Sequence, residues 1–437
     1  MEVFEAIESG CVSDVIKALK GNDSDPNMVN EYGCSLLHCA VENGNTEIAR
    51  ILLLEGANPD LYTESTPTAL HRAVILRHYD IVNLLMEFNV EPDNYENHES
   101  RTPLEYAVKL NDVKMTKTLL DYGADAEDIY RFNCPINDAA ANGNLEICKL
   151  LIDAGARINS RSMGSVYTIH HAIRSGNYEL VVELLSRGAL PDVEDELSFS
   201  SLHHAVMEGS ADMVLTLLEH GASVDVQDFC GRTPLFLAAN ASELDIVKVL
   251  LDFWADTSVS SGRNTPLSVC DLNSDTGIEI AKQIISTMVI NTEYKYHKVI
   301  NEEARRNDLE IIESNNEMKD WKDSCIEEVE KMRKTTLGSD RRSLLDLCLN
   351  CDDNAIAKCL NCISCEGFFI YRQLIEYTIE RGLLRHESLD KALDVMEKAF
   401  EKNRNVKDNG LKDCSDLPLG IKYDILEKID EEDLPYC

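Results

Sequence analysis

Apolar and polar positions along this chain fall into a block that returns about every 33 residues. The block reads Ser35-Leu-Leu-His-Cys-Ala, Thr68-Ala-Leu-His-Arg-Ala, Thr102-Pro-Leu-Glu-Tyr-Ala and Cys134-Pro-Ile-Asn-Asp-Ala. It continues as Tyr167-Thr-Ile-His-His-Ala, Ser200-Ser-Leu-His-His-Ala, Thr233-Pro-Leu-Phe-Leu-Ala and Thr265-Pro-Leu-Ser-Val-Cys. Successive starts are 33, 34, 32, 33, 33, 33 and 32 residues apart. Each block predicts a short helix with one apolar face. Thr102, Thr233 and Thr265 can cap free N–H groups, and the proline after each sits where a missing N–H costs nothing. A second helix follows at a fixed offset, visible in Ile48, Leu52 and Leu53 and again in Leu180, Leu184 and Leu185. Gly56, Gly123, Gly155, Gly188 and Gly221 stop it, because glycine takes the left-handed conformation after a last turn without steric cost. Asn89 and Trp254 stand in the same slot. Asparagine tolerates that conformation; for Trp254 the expectation is either a different helix end or a side chain that covers the next joint.

A repeat of this length centred on Thr-Pro-Leu-His-x-Ala resembles the ankyrin repeat. Phe4–Gly10 and Val12–Gly21 fit as an end cap with a polar outer face. Ile278–Ile285 keeps a helical pattern but loses the glycine stop. The reading is an all-α chain: an ankyrin-repeat solenoid of about nine repeats over 1–297, a helical linker over 298–342 and a small helical C-terminal domain over 343–437. Such solenoids serve as binding surfaces and seldom as catalysts.

Charge narrows the partners. The 437 residues carry 42 Lys+Arg against 78 Asp+Glu, a formal net charge of −36. A surface this acidic repels nucleic acid and anionic lipid and suits a basic protein patch. The acidic N-terminus lacks the bases of a secretory signal, and no run of about 18 apolar residues suggests a membrane span. Fifteen cysteines then read as reduced thiols of a cytoplasmic or nuclear protein.

The candidate chemistry is thin. His38, His71, His170 and His203 occupy one slot of the repeat, and recurrence at the period of the fold points to structural hydrogen bonds. His171 and His204 follow them, and are expected as neighbours on the outer face of the first helices, solvated or facing a partner. Cys348-x-x-Cys351 and Cys359-x-x-Cys362-Ile-Ser-Cys365 could hold a tetrahedral zinc ion. Leu344, Leu345, Leu347, Ile356 and Leu360 surround them at helical spacing, which favours small apolar fillers instead. No phosphate-binding glycine loop, nucleophile elbow or His-Glu-x-x-His is present. The expectation is therefore a protein with no enzymatic activity, no cofactor and no metal.

Beyond 298 the chain changes character but stays helical in period. Its last segment, Leu417-Pro-Leu-Gly-Ile-Lys-Tyr-Asp-Ile-Leu-Glu-Lys-Ile-Asp-Glu-Glu-Asp-Leu434, can open a helix at Pro418 and carries one stripe of Ile421, Ile425, Leu426 and Ile429. An ordinary terminal helix would look the same. The pattern also resembles the opening of an F-box, which docks on the linker subunit of cullin–RING ubiquitin ligases. Gly420 departs from the acidic residue usual there, and about half of a full F-box length remains. An ankyrin array followed by this shortened motif resembles the poxvirus ankyrin-repeat proteins with a PRANC domain. That resemblance implies a viral adaptor whose array selects a host protein and whose terminus recruits a host SCF-type ligase, in the host cytoplasm or nucleus, against innate immunity or to set host range. The ligase-contacting residues would be Leu417, Pro418, Ile421, Ile425, Leu426 and Ile429. The alternative is a scaffold that masks its host target without ubiquitination. For either, the loop tips three and four residues before each block are the expected contacts. Most are polar, such as Glu64, Glu99 and Glu196, but Tyr32, Tyr130, Met163, Leu197 and Phe229 are apolar, as binding anchors are.

Overall fold

A computed structural model describes residues 2–21, 25–61, 67–95, 101–127, 134–293, 302–337, 342–349, 370–371 and 375. By compactness the chain divides into 1–271 and 272–437.

The first unit is a solenoid of eight regular helix pairs, from Glu2–Glu8 with Val12–Lys20 to Pro234–Asn240 with Leu244–Asp252. The first helix of each pair has seven residues and the second nine. Successive first helices pack on one another, and so do most successive second helices. Ser35, Thr68, Thr102, Ser200 and Thr233 cap their helices by accepting the N–H three residues on, as the hydroxyl at the block start predicts. Leu70, Leu104, Leu202 and Leu235 occupy equivalent places, all at most 1 % exposed. At the ninth position the first helix shrinks to a 3-10 turn, Leu267–Val269. The helix that follows, Asp275–Glu293, packs in the second unit. Compactness thus puts the boundary at 271, where sequence periodicity put it at 297. Residues 294–301 lie outside the described residues, and Glu302–Ser314 and Asn316–Lys334, assigned to a linker, belong to the same unit as Asp275–Glu293.

Two left-handed positions recur in every pair from the second on; in the first, Gly21 after the second helix is extended at φ −87°. After the second helix, Trp254 takes φ 61° and its N–H meets the Leu251 carbonyl, as the Gly221 N–H meets that of Leu218. The helix therefore ends in the ordinary way, and tryptophan bears the backbone conformation that glycine takes elsewhere. Between the helices, the column of Gly44, Gly143, Gly176 and Gly209 holds Ser242 at φ 61°. A left-handed L-residue costs about 1–2 kcal/mol, and glycine gives back about 0.5–1 kcal/mol in chain entropy. Ser242→Gly is therefore expected to stabilise repeat eight by about 0.5–1 kcal/mol. A fall in its urea midpoint would contradict this.

The second unit has its core between Asp275–Glu293, Asn316–Lys334 and the helix Leu344–Leu349, with Ile290, Cys325, Val329, Met332, Leu344 and Tyr371 at its centre. The Tyr371 hydroxyl donates to the Ser286 carbonyl at 2.8 Å, and the Trp321 indole donates to Lys282 O and Ser286 Oγ. Cys348 is buried here beside Leu344 and Leu345, as an apolar filler would be. Cys351, Cys359, Cys362 and Cys365 lie outside the described residues, and among the described ones no His/Cys/Asp/Glu group is placed to hold a metal. The two strands, Thr336–Leu337 and Arg342–Ser343, are two residues each and pair antiparallel.

Candidate protein-interaction surface

Three sets of polar bonds at the repeat period tie neighbouring repeats together. The first is the histidine slot. His38 bonds the Ser35 hydroxyl through Nδ1 at 2.7 Å and the Pro67 carbonyl through Nε2 at 2.6 Å. His71 does the same with Thr68 and Arg101, and His203 with Ser200 and Arg232. Each imidazole so links its own helix cap to the chain entering the next repeat. The second set is a ladder of side-chain acceptors. Oδ1 of Asn27, Asp60, Asp93, Asn159, Asp192 and Asp225 takes the backbone N–H of Asn58, Glu91, Asp125, Leu190, Ser223 and Asp256. Glu127 falls in this column, and its carboxylate takes the Arg157 side chain at 2.9 Å instead of a backbone N–H.

The third set shapes the loop tips. Main-chain bonds Asn30 N–H to Cys34 O, Asp195 N–H to Phe199 O and Asp228 N–H to Arg232 O close each tip as a small hairpin. The side chain at its base holds the turn. Asp195 Oδ1 accepts the N–H groups of Leu197 and Phe199, and Asp228 Oδ1 those of Cys230 and Arg232. Consecutive tips are also joined to each other. Glu196 N–H donates to Gly164 O at 3.1 Å, Phe229 N–H to Leu197 O at 3.2 Å, and the Ser261 hydroxyl to Cys230 O at 2.7 Å. The tips entering repeats six to nine therefore form one hydrogen-bonded rail.

On this rail Met163 is 78 % exposed, Leu197 53 % and Phe229 65 %. Three of the expected anchors are thus brought together on successive, mutually braced tips. Tyr32, 72 % exposed, stands four tips away, at the entrance to repeat two, and is not part of the group. Tyr130, Glu64 and Glu99 lie outside the described residues, as do Leu417, Pro418, Ile421, Ile425, Leu426 and Ile429. Met207, exposed at the end of the first helix of repeat seven, is an apolar surface residue that tip counting missed. Its block position, seven residues after the start, is the one at which Glu42 and Arg174 also stand in solvent, and reading that column would have found it.

The second histidines depart from expectation. His204 is buried, not solvated, and its Nε2 meets Asp195 Oδ2 at 3.2 Å. Its ring lies 4.7 Å from that of His170, not beside His171. His171 instead meets the Ser162 hydroxyl at 3.0 Å. Both residues thus turn inward to hold the base of their own tip. Burial pushes the His170 imidazole down to about 3, helped by His204 facing it. Burial, with Arg174 nearby, lowers His204 to about 4 despite the Asp195 carboxylate. Two apposed neutral rings follow, with His204 Nε2–H donating to Asp195.

An array of stacked helix pairs with braced, exposed apolar tips is a protein-binding scaffold. The ankyrin-repeat family, described in units of three copies, matches in overlapping stretches over residues 3–293, and the chain belongs to it. Residues 339–437 match the PRANC domain, so this is an ankyrin protein of the poxvirus type, with repeats followed by a C-terminal PRANC domain. Among curated relatives, the ankyrin repeat protein FPV219 of fowlpox virus (strain NVSL) is 31 % identical over 184 residues, 41 % of this chain and 40 % of that protein. FPV222 of the same virus is 30 % identical over 179 residues, 34 % of this chain and 24 % of that protein. The human transient receptor potential cation channel subfamily A member 1 is 28 % identical over 155 residues, 33 % of this chain and 14 % of the channel. The chain thus spans well under half the length of these relatives. Among solved structures, the ankyrin repeat domain of human ASB11 is 25 % identical, covering 50 % of this chain and 97 % of that one with a TM-score of 0.43. That of Bcl-3 is 28 % identical, covering 57 % and 99 %, with a TM-score of 0.42. No described helix is long and apolar enough to cross a membrane.

Proposed function

We propose that this chain bridges a host protein, held on the tip rail of repeats six to nine, to a host SCF-type cullin–RING ligase bound by the PRANC segment. The rail carries this reading. Met163, Leu197 and Phe229 stand exposed on three tips that are already fixed by side-chain and main-chain bonds. A partner would find its apolar anchors ordered beforehand, which lowers the entropy lost on binding. The net charge of −36 would draw a basic partner surface towards them. The chain supplies no catalysis in this scheme; ubiquitin transfer belongs to the recruited ligase. It would act in the host cytoplasm or nucleus, against innate immunity or in setting host range.

The test separates the two ends. Ile421→Asp, Ile425→Asp and Ile429→Asp together are expected to abolish co-purification of the cullin while the host target is retained. Leu197→Ala with Phe229→Ala is expected to weaken target binding by about 2 kcal/mol or more, the scale of a hot spot, and to leave the cullin bound. A cullin that still co-purifies with the triple variant would leave a scaffold that masks its target. Unchanged target affinity in the double variant would move the binding site off the rail.

A further inference from the structure

The second unit holds a feature that the bridging scheme does not use. The helix Asn316–Lys334 packs against both Asp275–Glu293 and Glu302–Ser314, while those two make no comparable contact with each other among the described residues. A cleft of about 290 Å³ opens along the three helices. Its floor includes Ile285, Ile312 and Val329. Among the described residues beyond Asp271, the exposed large apolar side chains are Leu309, 38 % exposed, and Ile326, 41 % exposed, and both line this cleft. Three helices packed in this way leave the place of a fourth, and a fourth helix would take both side chains out of water.

The charges around the cleft run against those of the chain. Acids outnumber bases over residues 302–334, yet the charged side chains lining the cleft are Arg305, Lys322 and Arg333 against Glu330 alone. Lys322 is held at the edge by Glu313 at 2.8 Å. We propose that this cleft seats an amphipathic helix of a partner protein, its apolar stripe on Leu309 and Ile326 and acidic residues flanking that stripe beside Arg305 and Arg333. Helix-in-groove docking works in this way, with apolar anchors for affinity and rim charges for selection.

The experiment uses the full chain and two fluorescein-labelled synthetic helices of about 20 residues, long enough to be helical. Both carry leucine at helical spacing; one is flanked by glutamates, its twin by lysines. Anisotropy titration is expected to show the glutamate helix binding at least about tenfold tighter than the lysine twin, as complementary rim charge requires. Leu309→Asp and Ile326→Asp should each abolish binding; both sites are exposed, so circular dichroism should remain that of the parent. Arg305→Glu with Arg333→Glu should reverse the preference. Binding of neither helix, or a preference unchanged by the charge reversal, overturns the proposal. So does a dimer in sedimentation that Ile326→Asp dissolves, which would assign the cleft to a second copy. Protection of Ile326→Cys from maleimide in the unliganded chain, read by peptide mapping, would assign it to the chain's own sequence and overturn it as well.

Discussion

Leu202→Ala is expected to lower the stability of the array by about 2–5 kcal/mol, the cost of a cavity at a fully buried leucine. Leu202 is 1 % exposed and lies in the first helix of repeat seven, Ser201–Met207, between the neighbouring first helices Thr168–Arg174 and Pro234–Asn240. Its own helix is well fixed, since Ser200 caps it and His203 ties that cap to Arg232 O. The site therefore has little freedom to collapse around a missing side chain. In a solenoid the loss is local in origin and spreads through nearest-neighbour interfaces. Hydrogen exchange should show the largest loss of protection in repeats six to eight, alongside a lower urea midpoint. Parent-like protection in all three repeats would contradict the assigned packing.

Acid is expected to be nearly as damaging. His170 and His204 are held neutral in the fold, at about 3 and about 4, against an ordinary value of 6.5. The unfolded chain therefore binds protons that the folded chain refuses. The stabilisation is fully present above 6.5 and is lost as pH falls from there towards 4. Each such histidine changes stability by up to about 1.4 kcal/mol per pH unit. Between pH 7.5 and 5 the pair accounts for roughly 4 kcal/mol as an upper limit. His38, His171 and His203 are shifted the same way by burial and add to it. Relief of the repulsion among excess carboxylates opposes the trend but sets in lower, as carboxylates begin to protonate. Urea midpoints measured from pH 7.5 to 5 should fall, and should fall less steeply in a chain carrying His170→Gln and His204→Gln. An identical slope in that variant would remove these two imidazoles from the account.

The period, the caps, the buried leucines and the histidine slot were legible because each is a residue type forced by local backbone chemistry. A hydroxyl before Pro-Leu has few other uses, and a histidine that recurs with the fold is part of the fold. What escaped were bonds between repeats. The acceptor ladder was present as Asn or Asp in one column, yet these residues are also ordinary turn formers, so composition alone hid their role. His204 was misplaced for a related reason. Helical spacing assigns it to a face, but its burial depends on Asp195 reaching back from the tip and on His170 across the joint. The tip anchors were found by counting. Which of them are adjacent depended on the main-chain bonds Glu196 to Gly164 and Phe229 to Leu197, which no side-chain pattern encodes.

The ladder also bears on how such an array can diversify. Its column runs 27, 60, 93, 127, 159, 192 and 225, and from Ser35 on each member stands 25 residues after a block start, although the starts themselves wander between 32 and 34. The longer step, from Thr68 to Thr102, gains its residue between Asp93 and Thr102; the next gives it back between Glu127 and Cys134. Both changes fall in the stretch that carries the tip. Insertions and deletions are thus confined to the segment that meets other molecules, while the framework keeps its register. A lineage built on this plan can re-tailor the reach of a single tip, or duplicate a whole repeat, without renegotiating the joints that hold the column upright.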